Sequence, residues 1–550
     1  MSTFISAICE AAGGSAGIVT GEPREAVRTS WSKVHELARR GAAALIDQGL
    51  RPGDAVAVLA AAPLEVAPAV QAVWLAGGSV TMLHQPTART DLSTYAAETM
   101  HVLQVIGARR VLLGEQFADV AELLDGTGIE GHLVSEILAH PDLLAEPVET
   151  GEDATVLLQL TSGSTSAPKA VRISHRNAWD NLTALANRAN LVPGESVMVS
   201  WLPLFHDMGM VGFLTMPMTM GVELVKVTPT DFLRSPLLWF ELISRYRGTH
   251  TAAPNFAYAL AARVLATATD LDLSSLVFAL NGAEPIDVAA VRSFLVAGAH
   301  LGLPSTAMIP AYGMAETTLG VSIQVPGTPL RIDVLDAVAL EVDKRAVPVD
   351  VELTAAALAS GEIRAFPTLG PPLDGIEVQA RDEGGKVLAE REVGSLFIRG
   401  IAVTDRYLTS EGEIPTQGAD GWLDTGDLGY LTDGDVVVCG RVKDLIIMGG
   451  RNIYPTDIER VAATVGGVRA GNAIAVRAVA SGGRESFAVA VESRLADDPA
   501  EVGRMVKEIQ AAITSTLGVR PAKVRVLAVG SLPKTPSGKL RRAAAQDFFE

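Results

Sequence analysis

A lysine closes a run of small hydroxyl residues, Thr161-Ser162-Gly163-Ser164-Thr165-Ser166-Ala167-Pro168-Lys169, directly after the apolar run Thr155 to Leu160. Such a loop can surround phosphates with backbone N–H, hydroxyl and ammonium donors. It lacks the glycine and lysine spacing of a P-loop, so a kinase or GTPase reading fails. By composition alone it is an ordinary turn. A second cationic spot lies near the C-terminus, where Lys539, Arg541 and Arg542 follow Pro536-Ser537-Gly538. A spot that small suits a nucleotide better than a duplex, and by itself reads as a solvated tail. Asp427, in the turn Thr425-Gly426-Asp427, reads without further context as a turn-capping carboxylate.

The elements that must position these residues alternate. Short apolar runs such as Ala55 to Leu59, Thr155 to Leu160 and Val197 to Ser200 alternate with longer helical stretches such as Ser235 to Arg247. That pattern predicts α/β layers with mostly parallel sheets, whose strands end at polar or glycine clusters where ligands gather. Near Gly421 the texture changes. Trp422 to Tyr430 leads through Asp433-Gly434-Asp435 into the β-like run Val436 to Cys439, which predicts a turn between two strands. Gly440 to Asp444 then opens a final segment of about 110 residues, the size of one small domain. The domain boundary is placed there.

Composition limits the function classes. At 550 residues the chain exceeds what one hydrophobic core usually supports, so two or more domains are expected. A net charge of −18 argues against nucleic acid as the main partner. Two cysteines, Cys9 and Cys439, exclude a disulfide framework and a Cys-based zinc site and fit a reducing cytoplasm. The segment Ala55 to Leu83 is interrupted by Pro63, Glu65, Pro68 and Gly77-Gly78, so no stable membrane insertion is expected. No basic region precedes an apolar run at the N-terminus, and no export signal is read there.

The loop Thr161 to Lys169 resembles the phosphate loop of the adenylate-forming superfamily, which contains acyl-CoA synthetases, peptide-synthetase adenylation domains and luciferase. The superfamily's other signatures follow in its order: Asn281-Gly282-Ala283-Glu284-Pro285, Tyr312-Gly313-Met314-Ala315-Glu316-Thr317, Trp422-Leu423-Asp424-Thr425-Gly426-Asp427, Gly440-Arg441-Val442-Lys443-Asp444 and Pro533-Lys534-Thr535-Pro536-Ser537-Gly538-Lys539. The resemblance spans nearly the whole chain. It implies ATP and Mg²⁺ as cofactors. It also implies a large N-terminal part of layered α/β subdomains with a β-barrel-like subdomain (residues 1–440), a hinge (441–443) and a small mobile α+β domain carrying the catalytic lysine (444–550).

The roles implied by the resemblance have chemical sense. Small side chains at Gly282 and Ala283 let an adenine approach the backbone, with Glu284 beside them, and the ring of Tyr312 can stack on it in the turn with Gly313 and Met314. Glu316 holds Mg²⁺ on the phosphates, for which one carboxylate suffices, while Thr317 offers a hydroxyl to the α-phosphate. Asp427 accepts hydrogen bonds from the ribose hydroxyls, and Arg441 meets the ribose or phosphate. Lys539 is the catalytic cation that offsets charge building up as pyrophosphate is displaced in line. Lys443 aligns with the hinge on which the small domain swings between adenylation and acyl transfer. Departures from the family pattern are Ser166 and Ala170, where glycine is usual.

Several blocks look more like the fatty acyl-AMP ligases of mycobacteria and related actinobacteria than like ordinary CoA ligases: Trp201 to Met210, Ser244 to Arg247, Ala253 to Tyr258 and Gly449 to Glu459. That likeness implies a fatty acid substrate, with acyl transfer to the phosphopantetheine arm of an acyl carrier protein in lipid or lipopeptide assembly. His206 and Asp207 are adjacent, and neighbours on a strand or helix point apart, so they are expected to position the acyl group rather than to act as a proton-transfer pair. Asn255 belongs with the acyl pocket, and Met208, Met210, Phe213, Phe256 and Tyr258 are apolar enough to line an acyl tunnel. The stretch 323–368 is longer than CoA ligases usually have and is similar to the insertion by which many acyl-AMP ligases restrain the C-terminal domain. Two other readings remain: a synthetase using free CoA, and a non-catalytic nucleotide- or acyl-binding module. The latter is expected to have lost Glu316, Asp427 or Lys539, all of which are present.

Overall fold

The computed structural model describes residues 1–86, 91–161, 168–448, 450–480, 484–534 and 540–549. The run Ala55–Leu59 forms a strand between two parallel neighbours, Ser79–Met82 and Arg110–Leu113. Having partners on both edges and helices on its faces explains why it is apolar without alternation. The helix that follows, Pro63–Leu75, starts with proline at its first position and is buried around most of its circumference. Thr155–Leu160 extends the same sheet and turns back antiparallel through Ala170–Ser174. Ser174 then caps the helix His175–Arg188 through a reciprocal capping box with Asn177.

Among the described residues two eight-stranded sheets make up most of the chain. The first borders a cleft along its rim. Its strands Glu223–Lys226, Val197–Ser200, His250–Ala253, Phe278–Asn281 and Met308–Gly313 are mutually parallel, with antiparallel strands at either edge. Parallel strands all end at one rim, so Trp201, Val227, Pro254, Gly282 and Met314, far apart in sequence, begin their loops side by side.

The barrel-like part takes the form of a four-stranded antiparallel sheet, Ile376–Arg381, Gly394–Gly400, Leu423–Thr432 and Asp435–Arg441, beside a two-stranded ribbon of Ile332–Asp336 and Ile363–Pro367. The expected turn falls at Asp433-Gly434, both at positive φ (50° and 80°), the geometry that lets a two-residue loop join twisted strands. Beyond Lys443, the strands Val468–Ala480, Arg484–Ser493 and Lys523–Leu527 form a sheet covered by the helices Pro455–Ala463 and Pro499–Leu517. Ile446, Ile458, Phe487, Ile509 and Ile513 close a core of their own there. Asp498 caps the second helix by accepting the Ala500 N–H. Among the described residues no helix is long and apolar enough to cross a membrane.

The stretch 323–368 links the two parts. Arg364, 2% exposed, pairs with the buried Glu341, and its Nε lies 2.8 Å from Asp457 of the C-terminal part. Arg451, also beyond the hinge position, reaches the other Glu341 oxygen at 2.6 Å.

Candidate active site

One cleft of about 2720 Å³ runs from the rim of the first large sheet to the C-terminal part. At one end Asp427, 4% exposed, sits at a bulge of its strand. Tyr312 donates its hydroxyl to one Asp427 oxygen at 2.6 Å, and the Arg441 guanidinium meets the other at 3.0 Å. A carboxylate has four acceptor sites, so two remain for ligand hydroxyls. Burial raises the Asp427 carboxyl above its ordinary value, against the opposing pull of Arg441 and Tyr312. Tyr312 is pushed well up by burial and by the Asp427 charge, so it stays protonated and donates.

Tyr312 faces the Gly282-Ala283 turn across the rim. A Cβ on Gly282 would come within 3.2 Å of the Ala311 carbonyl, and Ala283 holds φ +69°, so the backbone at this pair leaves little room for a side chain at 282. Glu284 has a local task as well: its Oε1 accepts the Phe256 N–H at 2.6 Å, satisfying a first-turn donor of the helix Asn255–Leu265. Asn255 Oδ1 accepts from Asn281 and from the Asp287 N–H, both at 3.2 Å. Ala283, Glu284, Asn255, Phe256, Tyr312, Gly313, Asp427, Arg441 and Lys443 all border the cleft.

Glu316 and Thr317 lie in a tight turn between Met308–Gly313 and Gly320–Ile323. Glu316 accepts the Tyr407 hydroxyl at 2.8 Å, and Lys169 stands 3.8 Å from the centre of the Tyr407 ring. A cation over that ring, beside a carboxylate, closes the described edge of the loop beginning at Thr161. Thr161 donates its N–H to the Lys169 carbonyl at 3.2 Å. The Thr317 hydroxyl, expected to be offered to a phosphate, is fully buried and donates to the Met314 carbonyl at 2.9 Å. Its neighbour Thr318 is held at φ +73°, a strained setting for a β-branched residue. Burial, followed by the Arg441 charge, lowers Lys443 below its ordinary value.

The acyl-end expectations divide. Asn255 and Phe256 border the cleft, but Met210, Phe213 and Tyr258 are packed inside the core and are not among its wall residues. Tyr258 donates to the Leu280 carbonyl at 2.8 Å and sits between Trp239 and Phe294, which explains why an aromatic there is core. The expectation that His206 and Asp207 point apart fails. His206 lies in a bend and Asp207 at the start of the helical run, so the two do not share one regular element, and His206 Nδ1 lies 2.5 Å from Asp207 Oδ1. Asp207 also accepts the Met208 N–H at 2.6 Å, opening the π-helical turn Met208–Thr215.

Ser162, Gly163, Ser164, Thr165, Ser166 and Lys539 lie outside the described residues. Lys534 precedes that last segment and donates to Asn472 at 2.7 Å, while Arg542 is paired with Glu459 at 2.8 Å. Three residues of this region were not singled out from sequence. Tyr407 carried no signal beyond a tyrosine in a strand. Lys226 is a lone cation in an apolar run, which is a readable signal. Trp201 belonged to a recognised block, but nothing in the sequence marked its indole.

For a nucleotide the donor set fits: a buried carboxylate with open acceptor sites, a ring and a close-approach turn share one wall. Among the described residues no three His, Cys, Asp or Glu gather as a metal site. Mg²⁺ held mainly by phosphates and water does not require such a cluster; Glu316 is a carboxylate of the kind it needs, although it is not among the residues bordering the cleft and one of its oxygens accepts from Tyr407.

A family model described as AMP-binding enzyme matches residues 13–408, and one described as AMP-binding enzyme C-terminal domain matches residues 450–546. A putative ligase of Mycobacterium tuberculosis is 53% identical over 96% of both chains. A putative acyl-CoA synthetase of Caulobacter vibrioides is 34% identical over 100% of this chain and 95% of its own. The medium-chain-fatty-acid acyl-carrier-protein ligase JamA of Moorena producens is 32% identical over 73% of this chain and 69% of its own. A solved structure from work on fatty acyl-adenylate ligases of E. coli and L. pneumophila matches with a TM-score of 0.90 at 31% identity, covering 100% of this chain and 97% of that one.

Proposed function

Because this chain belongs to the AMP-binding enzyme family, adenylate-forming ligases that use ATP with Mg²⁺, we propose that it converts a fatty acid to its acyl-adenylate and passes the acyl group to the phosphopantetheine thiol of a carrier protein. The observation that carries the reading is the Tyr312–Asp427–Arg441 cluster on a cleft whose other end is walled by Trp201, Phe205 and Phe256. Nucleotide chemistry and an apolar chain have adjoining places in one cavity.

In this reading Asp427 receives the ribose hydroxyls and Tyr312 supports the adenine over Gly282-Ala283. Bound Mg²⁺ would be held by Glu316 and would neutralise phosphate charge. The acid's carboxylate oxygen attacks the α-phosphorus, the bond to the β-phosphate oxygen breaks, and pyrophosphate leaves. No general base is required, since the carboxylate is already ionised. Lys539 offsets the charge at the α-phosphate. The thiol then attacks the acyl carbonyl and AMP departs, with residues 441–443 acting as the hinge that changes the face presented by the C-terminal part. Acyl transfer to a carrier is supported by the likeness to a carrier-protein ligase and to fatty acyl-adenylate ligases. Free CoA is the competing acceptor, favoured by the likeness to a putative acyl-CoA synthetase. A cytoplasmic location belongs to the same proposal and is supported by two unpaired cysteines.

The test is mass spectrometry of products from ATP, Mg²⁺ and a panel of fatty acids, alone, with CoA and with a phosphopantetheinylated carrier protein. Acyl-AMP without acyl-CoA, and acyl-carrier when the carrier is added, is the expected result. Efficient acyl-CoA formation makes the protein a synthetase, and no adenylate with any acid overturns the substrate class.

A further inference from the structure

Lys226 ends the strand Glu223–Lys226 and is 1% exposed, a lysine as deeply buried as the core tryptophans. Its partners are neutral: the Ser200 hydroxyl at 3.0 Å and the Leu202 carbonyl. Ser200 Oγ also accepts the Leu202 N–H at 3.1 Å, so it is already engaged by a second donor. A buried amine facing only neutral acceptors is costly to retain, and an apolar residue of similar length would fill the same volume without that penalty. Yet Lys226 stands at the wall of the active-site cleft, where residues 226–230 face residues 201–205 across adjoining parallel strand ends.

The same stretch of wall holds a second buried donor, and this one is unpaired. Trp201 is 4% exposed and stacks on Phe232 with ring centres 3.9 Å apart, yet its indole N–H has no acceptor among the described residues. Buried indole N–H groups are normally paired. Lys226 and Trp201 lie on neighbouring strand ends, in a stretch of wall that includes the apolar Leu202, Leu204, Phe205 and Phe256. A buried indole N–H without a partner, next to an ammonium that can donate once more, calls for an acceptor from outside the protein. In pockets of this kind, a few polar groups on apolar walls set orientation and specificity.

We propose that Lys226, with Trp201, is a specificity determinant of the acyl-binding end of the cleft, donating hydrogen bonds to an oxygen carried on the chain of the acid. The substrates are then oxygenated acids, with a hydroxyl, keto or second carboxylate group away from the reacting carboxyl, rather than plain alkanoic acids. This rests on the adenylation reading above. It concerns which acid is chosen, and Lys226 takes no part in the bond-making step.

The experiment measures kcat/KM for adenylate formation by the full chain with ATP and Mg²⁺, using acids of matched length: unsubstituted, hydroxylated, keto and α,ω-dicarboxylic. The wild type is expected to favour one oxygenated class over the unsubstituted acid by about a hundredfold, since an acid without the oxygen leaves a buried donor unpaired. The class that wins distinguishes a neutral oxygen from a second carboxylate. Lys226→Met keeps length and removes the donors, and should erase most of that preference while leaving the melting temperature equal or higher. Trp201→Phe keeps the stack and should reduce the preference in part. A wild type that prefers the unsubstituted acid overturns the inference without any variant. An unchanged ratio in Lys226→Met, with a lowered melting temperature, makes the lysine structural and also overturns it. In both cases adenylation itself stands. If the wild type adenylates none of the acids, the fatty-acid reading falls and this inference with it.

Discussion

Asp427 shows how a single residue is adapted to two opposing demands. Burial raises its carboxyl above its ordinary value, whereas a ribose partner is best served by the ionised form. Arg441 and Tyr312 restore part of that balance. Asp427→Ala should therefore weaken ATP binding far more than acid binding. Loss of charge-assisted hydrogen bonds worth about 2–3 kcal/mol corresponds to a drop of roughly 30- to 150-fold in calorimetry, and equal losses for both ligands would remove the ribose assignment. Lys539→Ala should abolish adenylate formation, a fall of at least about a hundredfold in kcat, with an unchanged circular dichroism spectrum. Wild-type turnover in that variant refutes its role. Both assignments are legible in the sequence because the motifs around them are long and ordered. The pairing of Glu316 with Tyr407 is not, since the tertiary fold brings together residues 91 positions apart.

At the scale of elements, the cluster joining the stretch 323–368 to the C-terminal part decides how firmly the two are held. Glu341 is 1% exposed and is engaged by Arg364 and Arg451 at once. Gly361, at φ +76°, packs so tightly against the helix Pro499–Leu517 that an added Cβ would lie 1.8 Å from the Thr516 carbonyl. Glu341→Ala leaves the Arg364 guanidinium buried without that counter-charge. The expected cost is about 3–5 kcal/mol, the usual consequence of breaking a buried pair from one side. Differential scanning calorimetry should show a lower melting temperature, together with faster proteolysis near residues 441–450. A melting temperature within error of wild type would mean that the pair contributes no net stability. The length of 323–368 could be read from sequence. Its ion pairs could not, because Glu341, Arg364, Arg451 and Asp457 sit in four separate elements.

For the whole molecule, acid sensitivity follows from buried imidazoles. His175, at the start of the helix His175–Arg188 and beside Ser2 at 2.9 Å, is lowered to about 4 by burial. His84 is lowered to about 4 by burial and by the nearby His206. Each is neutral when folded but takes a proton near its ordinary value of about 6.5 when unfolded. The unfolded state thus binds more protons as pH falls, and the stability these groups contribute above pH 6.5 is lost progressively towards pH 4. Denaturant titrations across that window should show a steady fall in stability, and His175→Gln should flatten part of it. A variant with the wild-type slope would assign the acid sensitivity to other groups.

What the sequence determined alone was the order of its motifs, the parallel-sheet class implied by uninterrupted apolar runs, and the hairpin at Asp433-Gly434. These depend on neighbours within a few positions, where spacing and residue type suffice. Only the tertiary structure decided which aromatic residues wall the cleft and which fill the core, so Phe256 and Tyr258, two positions apart on one helix, part company. It alone turned His206 onto Asp207, and it alone put two buried donors, Lys226 and Trp201, in the wall of the cleft. Burial and contact come from strands that meet at one rim from distant parts of the chain, and no local pattern encodes which face of each will look into the cavity.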